Sequence, residues 1–322
     1  MPEPLRILLH NADTSAIAAK TRSAHPDAMV EECQSYADLP NHIARFRPDV
    51  VYTVRFDGTQ GYPRDALFSP LGPAWVANGG AGIDHFGLWD PTRVTVTNAA
   101  GVAADMMAEF VIGSFLHYTL DVLGLQADKA QKVWRARMVR PLKGQSLLIL
   151  GLGQTGRALA KRAQAFGMTV LGTRARPESM ENVDEVHAAA DLHTLLPRAD
   201  FVAVSTPLTH ATRGLLGPRE FELMKPGVVL ADVSRGGVIN GDAMLAALKT
   251  RQVAAAALDV FETEPLPDDS LFWDAPNTLI SPHASSVYDG WENASFDLFL
   301  QNLNYWIAGE PLFNVVDPTR GY

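Results

Sequence analysis

The chain reads as an α/β protein built from two doubly wound parallel-sheet domains. Three observations predict this. Short apolar runs alternate with helical stretches along most of the sequence, the pattern of strands joined by crossover helices. A glycine-rich turn follows one buried run at 151–156, in mid-chain, so a separate unit must be built from the first half. A length of 322 residues also suits two domains better than one.

In order, residues 6–10 form a buried strand, and Asp13 is placed to cap a helix running to Lys20. Residues 28–33 are a strand, 39–46 a helix ended by Pro48, and 49–54 a strand. Short strands follow at 74–77 and 94–97, and the first block ends near Asn98. Residues 102–123 predict one long helix, apolar on nearly every face and so buried between domains or subunits. A second helix is expected over 126–134, with Trp134 packed in the domain core. After the glycine turn come a helix over 155–166, ended by Gly167, and a strand over 168–173. Further strands are expected at 201–205, 228–232, 253–258 and 278–280, with helices at 191–196, 218–224 and 242–249. A last helix over 285–308 carries Trp291, Phe296, Leu300, Leu303 and Trp306. It comes after the second unit is complete, so it should return to the first. One domain is then 1–98 with 286–322, and the other is 99–285.

Hydrophobic residues at 47% and charged residues at 20% suit a folded globular protein. A net charge of −9 argues against nonspecific nucleic-acid binding. Cys33 is the single cysteine, so there is no internal disulfide. It reads as a small buried hydrophobe, and such usage fits reducing cytoplasm. The start, MPEPLRILLHNAD, lacks the basic and apolar regions of a signal peptide. No apolar run approaches the ~20 residues of a membrane span. No metal site is expected.

Residues 146–156 read SLLILGLGQTG: strand, glycine turn, helix start. Gly151 permits the tight turn, Gly153 lets backbone approach a pyrophosphate, and Gly156 lets the helix pack on the strand. Gln154 and Thr155 open a helix whose N-terminus offers N–H groups and a positive dipole end to phosphate. In a dinucleotide site an acid about 20 residues onward binds the adenosine ribose. Here that place holds Thr173, Arg174, Ala175 and Arg176. An acid would repel a 2′-phosphate, whereas a guanidinium pairs with it. NADP(H) is therefore expected in preference to NAD(H), with Arg174 in the acid's place and Arg176 second.

Three segments follow expected strand ends, where open α/β sheets place ligands: DVSRGG at 232–237, LDVFETEP at 258–265 and SPHAS at 281–285. Together they hold one arginine, a choice of acids and one histidine. Reduction of a 2-keto acid needs such a set. The carbonyl carbon takes a hydride while its oxygen takes a proton, and a histidine suits the proton donor. A carboxylate beside it favours the charged imidazole and fixes its tautomer. An arginine can fork onto the substrate carboxylate. Arg55, after the strand DVVYTV, is a further candidate for a substrate contact.

With GGAGID at 79–84, GLGQTG at 151–156, LMKPGVVLADVSRGG at 223–237, LDVFETEPLP at 258–267 and SPHAS at 281–285, the chain resembles the D-isomer-specific 2-hydroxyacid dehydrogenase family. The first 70 residues match it only in outline. The resemblance implies flavodoxin-like and Rossmann-like domains with a cleft between them, a homodimer built around the nucleotide domains, and a small 2-keto or 2-hydroxy acid as substrate. By position, Arg235 would bind substrate, His283 would donate the proton and Glu264 would pair with it, with Glu262 as rival acid. Asp259 would hold the nicotinamide carboxamide, and Gly80, Ala81 and Gly82 would receive the substrate carboxylate on backbone N–H groups. Thr206, Pro207, Thr212, Val233, Ser234 and Ala284 would line the cofactor, with Met107 beside Met106 at the nicotinamide. The arginine pair and the ending VVDPTRGY look most like the glyoxylate/hydroxypyruvate reductase branch. Formate oxidation is disfavoured, since that branch carries glutamine where Glu264 stands. A phosphite-type dehydrogenase keeps the His–Glu pair and remains an alternative. A nucleotide-sensing, corepressor-like interaction protein is another, opposed by the lack of a disordered tail.

Overall fold

The computed structural model describes residues 3–56 and 61–320, so Gly321 and Tyr322 of the VVDPTRGY ending lie outside the described residues. The chain divides into two compact units, 1–102 with 289–322, and 103–288.

The first unit begins with β1 (Arg6–His10), α1 (Ser15–Ala24), β2 (Met29–Cys33), α2 (Leu39–Phe46), β3 (Val50–Thr53), α3 (Arg64–Leu67), β4 (Trp75–Asn78) and β5 (Thr95–Thr97). Its sheet runs β2-β1-β3-β4-β5, with every pairing parallel. A parallel sheet is covered on both faces, and this explains the apolar runs of β1, β3 and β4. Alternate residues point to opposite faces. Leu8, Val51 and Val76 pack with Leu39, Ile43 and Phe86. Ile7, Leu9, Val50 and Trp75 pack with Phe296, Phe299 and Leu303 from the far end of the chain.

The second unit contains α4 (Ala104–Thr119), α5 (Val122–Ala130), β6 (Ser146–Leu150), α6 (Gln154–Ala165), β7 (Thr169–Thr173), β8 (Glu185–His187), α7 (Leu192–Leu195), β9 (Phe201–Val204), α8 (Pro218–Leu223), β10 (Val228–Asp232), α9 (Gly241–Lys249), β11 (Val253–Leu258) and β12 (Thr278–Ile280). Its seven-stranded parallel sheet has the order β12-β11-β10-β9-β6-β7-β8. The order reverses between β6 and β9, the switch point where such sheets bind ligands, and the glycine turn leaves β6 there. α10 (Trp291–Ala308) then returns the chain to the first unit.

Four local expectations are corrected. The long helix over 102–123 is two helices, because Asp121 takes a left-handed conformation (φ +50°) and caps α5 by accepting the Gly124 N–H. The second helix therefore starts and ends earlier than 126–134. Trp134 is not in a core: it is fully exposed, on a stretch over 131–141 without helix or strand. That stretch is tied back by ion pairs from Arg135 and Arg137 to the buried Asp128, and from Arg137 to Asp121. The last helix starts at Trp291, not 285, since Ser285 is spent on a buried bond to Asp259 and Gly290 holds φ +89°. Strand β8 was not foreseen. Among the described residues no single helix is long and apolar enough to cross a membrane.

Candidate active site

The glycine turn is built as a cradle. Gly151 holds φ +101°, a region closed to most side chains, and its N–H and that of Leu152 both donate to the Thr173 carbonyl at 3.2 and 3.0 Å. The ends of β6 and β7 are thereby locked together. A Cβ added at Gly156 would lie 2.1 Å from the Gly151 oxygen, whereas one at Gly153 would meet nothing within 4 Å. The third glycine thus serves packing, and the second borders open space at the N-terminus of α6. The Thr155 hydroxyl lies 3.7 Å from the Met107 sulfur. Thr206, whose methyl borders Gly151, has a hydroxyl sealed from water with no partner among the described residues. Thr212 donates to the Pro207 carbonyl at 2.6 Å and accepts the Thr209 N–H at 2.8 Å, closing the loop after β9. At the end of β7, Thr173 is buried, Arg174 is half-buried with Nη1 3.4 Å from the Met180 sulfur, and Arg176 is exposed. These features fit a pyrophosphate and its adenosine.

Three loops at the ends of β10, β11 and β12 carry Arg235, Glu264 and His283. The His283 Nδ1–H donates to Glu264 Oε2 at 2.8 Å, and Glu264 Oε1 accepts the Phe261 N–H at 3.0 Å. Burial acts to raise the Glu264 carboxyl; the bonds from His283 and Phe261, with the charges of His283 and Arg235, outweigh it and hold its pKa below the ordinary value. With Nδ1–H committed to a carboxylate, Nε2 is a donor only when the ring is protonated. Glu262, the rival acid, is exposed, and Glu264 is the acid that meets His283.

His283 itself is left-handed (φ +54°), a conformation costing a non-glycine residue about 1 kcal/mol or more. Asp259 holds it there. Its carbonyl accepts the His283 N–H at 2.9 Å. Its buried carboxylate accepts the N–H groups of Ala284 and Ser285 on Oδ1 and the Ser285 hydroxyl on Oδ2. A second buried carboxylate, Asp232, accepts the Ser234 N–H at 2.9 Å and the Ser234 hydroxyl at 2.5 Å. Arg235 Nη1 then donates to the Ser234 carbonyl at 2.7 Å. Burial pushes the Asp232 carboxyl up to about 7 against those two bonds; the Asp259 charge adds to the rise and Arg235 opposes it. Val233 is buried beside them, and Ala284 is half-buried. A Cβ at Gly236 would fall 1.9 Å from the Phe261 oxygen, so the arginine and glutamate loops touch backbone to backbone.

In the first unit, Gly80, Ala81 and Gly82 follow β4. Asn78 Nδ2 donates to the carbonyls of Gly80 and Gly82 at 2.8 and 2.9 Å, and Asn98 Nδ2 to that of Ala81 at 2.7 Å. Arg55 lies half-buried just beyond β3.

A family model, D-isomer specific 2-hydroxyacid dehydrogenase, NAD binding domain, fits residues 112–285, more than half of the chain. The chain belongs to that family. This dehydrogenase is 32% identical over 255 residues to a glyoxylate reductase of Thermococcus litoralis, covering 75% of this chain and 76% of the relative. The structure of a D-isomer specific 2-hydroxyacid dehydrogenase from Xanthobacter autotrophicus, in complex with NADPH and MES, superposes with a TM-score of 0.84 at 28% identity, covering 99% of this chain and all of the other. An NADPH-dependent glyoxylate/hydroxypyruvate reductase from Sinorhizobium meliloti, bound to NADP and sulfate, gives a TM-score of 0.82 at 26% identity over 99% of this chain and all of the other.

Sequence reasoning missed three side chains that shape the dehydrogenase's loops, Asn78, Asn98 and Ser295, and gave no anchoring role to a fourth, Asp232, although it opens the DVSRGG segment. Each is polar yet buried. The one signal was position, since Asn78, Asn98 and Asp232 stand at or just beyond strand ends.

Proposed function

We propose that this dehydrogenase transfers a hydride from NADPH to a small 2-keto acid, glyoxylate or hydroxypyruvate above all, giving the D-2-hydroxy acid. The observation that carries the reading is the His283–Glu264 pair at 2.8 Å, in a loop next to that of Arg235. When bound, the reduced nicotinamide supplies the hydride to the carbonyl carbon. His283 gives its Nε2 proton to the carbonyl oxygen, so the two-electron reduction balances as hydride plus proton. Glu264 keeps the imidazolium oriented and stabilises its charge. Arg235 forks onto the carboxylate and polarises the carbonyl. The backbone N–H groups after β4 take the substrate carboxylate, with Arg55 as a further contact.

Gly153, Gln154 and Thr155 would hold the pyrophosphate, and Arg174, then Arg176, the 2′-phosphate. Thr173, Thr206, Pro207, Thr212, Val233, Ser234, Ala284 and Met107 would line the same ligand. Asp259 would reach the carboxamide with the acceptor capacity left on Oδ2, since a carboxylate offers about four acceptor positions and three are used. The exposed apolar Leu123, Trp134 and Met138 support a homodimer through the second unit. The lone buried Cys33 suits a cytoplasmic enzyme.

A panel of keto acids with NADPH and NADH in parallel, followed by nicotinamide absorbance, tests the reading. Turnover of glyoxylate or hydroxypyruvate with NADPH is expected, and failure on every small 2-keto acid would sink it. Arg174→Asp should move preference towards NADH by about tenfold or more; an unchanged ratio would put the 2′-phosphate elsewhere.

A further inference from the structure

We infer that Asn78, Asn98 and Ser295 are positioning residues that turn the N–H groups of the 79–83 loop towards an anion. The inference rests on the reading of that loop as the receptor of the substrate carboxylate. Four consecutive carbonyls are pinned by buried side-chain donors. Ser295 Oγ, on α10, donates to Gly79 at 2.6 Å. Asn98 Nδ2 donates to Ala81 at 2.7 Å, and Asn78 Nδ2 to both Gly80 and Gly82 at 2.8 and 2.9 Å. These peptide bonds are trans, so each carbonyl points opposite to the next residue's N–H. Pinning the carbonyls of 79–82 therefore sends the N–H groups of Gly80, Ala81, Gly82 and Ile83 away from their respective donors.

The donors are themselves fixed. Asn98 Oδ1 accepts the Ala100 N–H at 3.1 Å, and Asn314 Nδ2 donates to the carbonyls of Asn98 and Ala100. Asn78, Asn98 and Ser295 are 4%, 9% and 2% exposed. Burying such groups is costly unless their bonds are made, and here their side-chain donor bonds go to this one loop. Gly79 is held close as well, since a Cβ there would lie 2.5 Å from the Tyr52 hydroxyl. A glycine-rich loop without these anchors could rotate its peptides and turn carbonyl oxygens, which repel a carboxylate, towards the ligand. The anchors, together with the Ala99 N–H on the Gly80 carbonyl at 3.0 Å, remove that freedom before substrate arrives.

The prediction is a loss of carboxylate affinity with the chemistry spared. Asn98→Asp keeps the shape and the acceptor for Ala100 but removes the donor to Ala81. Ser295→Ala removes one bond and leaves both amides, and keeps the test open if the first variant does not fold. Each should raise KM for glyoxylate by about tenfold or more, the worth of one charge-assisted bond, with kcat falling less than about threefold. NADPH affinity by fluorescence should be unchanged, and oxalate binding to the NADP-loaded protein by calorimetry should weaken in step with KM. A merely structural role would lower kcat and NADPH affinity together. If wild-type protein reduces a 2-keto acid and binds oxalate but both variants keep its KM and oxalate affinity, the inference fails alone. If wild-type protein does neither, the functional reading fails first and takes the inference with it.

Discussion

Two loops in this molecule are held by opposite means. After β12, a buried carboxylate gathers N–H groups: Asp259 takes those of Ala284 and Ser285 and the Ser285 hydroxyl. After β4, buried amides and a hydroxyl gather carbonyls: Asn78, Asn98 and Ser295 take those of residues 79–82. The choice of anchor decides what the loop has left to offer. A loop pinned by its carbonyls offers N–H groups, which suit an anion. A loop pinned by its N–H groups offers a side chain, here an imidazole kept in a strained backbone conformation. The anionic anchor binds more strongly, because charge-assisted bonds are roughly twice as strong as neutral ones. It also brings a titratable group into the interior, which the neutral anchors avoid.

The largest expected effect breaks the side-chain loop at its tip. His283→Ala should lower kcat/KM for the keto acid by about 10²–10⁴, with NADPH affinity retained. Full activity in that variant would remove His283 as proton donor. Asp259→Asn keeps the shape but halves the strength of the anchor. We expect kcat to fall about tenfold with KM for the keto acid little changed, the reverse of the split expected for the carbonyl-pinned loop. An unchanged kcat would mean that His283 keeps its left-handed backbone without the charge, and the contrast between the two anchors would not hold.

How much of this could be read in advance follows from where the information sits. The runs LLIL, FVAV and VVLAD are buried on both faces, so composition alone marks them as strands of a parallel sheet. Strand β8 is the short edge segment Glu-Val-His with every residue half-buried, and no apolar run announces it. The break between α4 and α5 depends on one left-handed aspartate inside an apolar stretch, which periodicity cannot see. Trp134 misled for a related reason: a large aromatic residue is a core residue on average, and only the ion pairs around Asp128 show that this stretch stays outside. The segments holding Arg235, Glu264 and His283 were legible because each follows a strand end. The anchors were not: Asp232 and Asn78 hold residues only two to four places on but carry no mark of that role, and other anchoring bonds join distant positions. Ser295 lies 216 residues from the carbonyl it holds, and nothing local distinguishes it from any helical serine.

The smallest effect concerns the second buried carboxylate. Asp232 gathers the Ser234 N–H and hydroxyl as Asp259 gathers its own donors, and it lies close enough to Asp259 for one charge to oppose the other. Its carboxyl is raised from 3.8 to about 7. Between those values the folded chain holds a proton that the unfolded chain has released. Rising pH through this window therefore removes stability, and the loss is complete above the folded value. In an Asp232→Asn variant the new side-chain amide would accept both Ser234 donors on its oxygen and carry no proton to lose. We expect its melting temperature to exceed that of the wild type by roughly 2–6 °C at pH 8, and the gap to close towards pH 4. Its kcat/KM should change less than about threefold, since the turn before Arg235 survives. A gap that stays constant with pH, or none at any pH, would mean that the anionic anchors carry no pH-dependent cost. The advantage argued for the neutral amides of the first unit would then disappear.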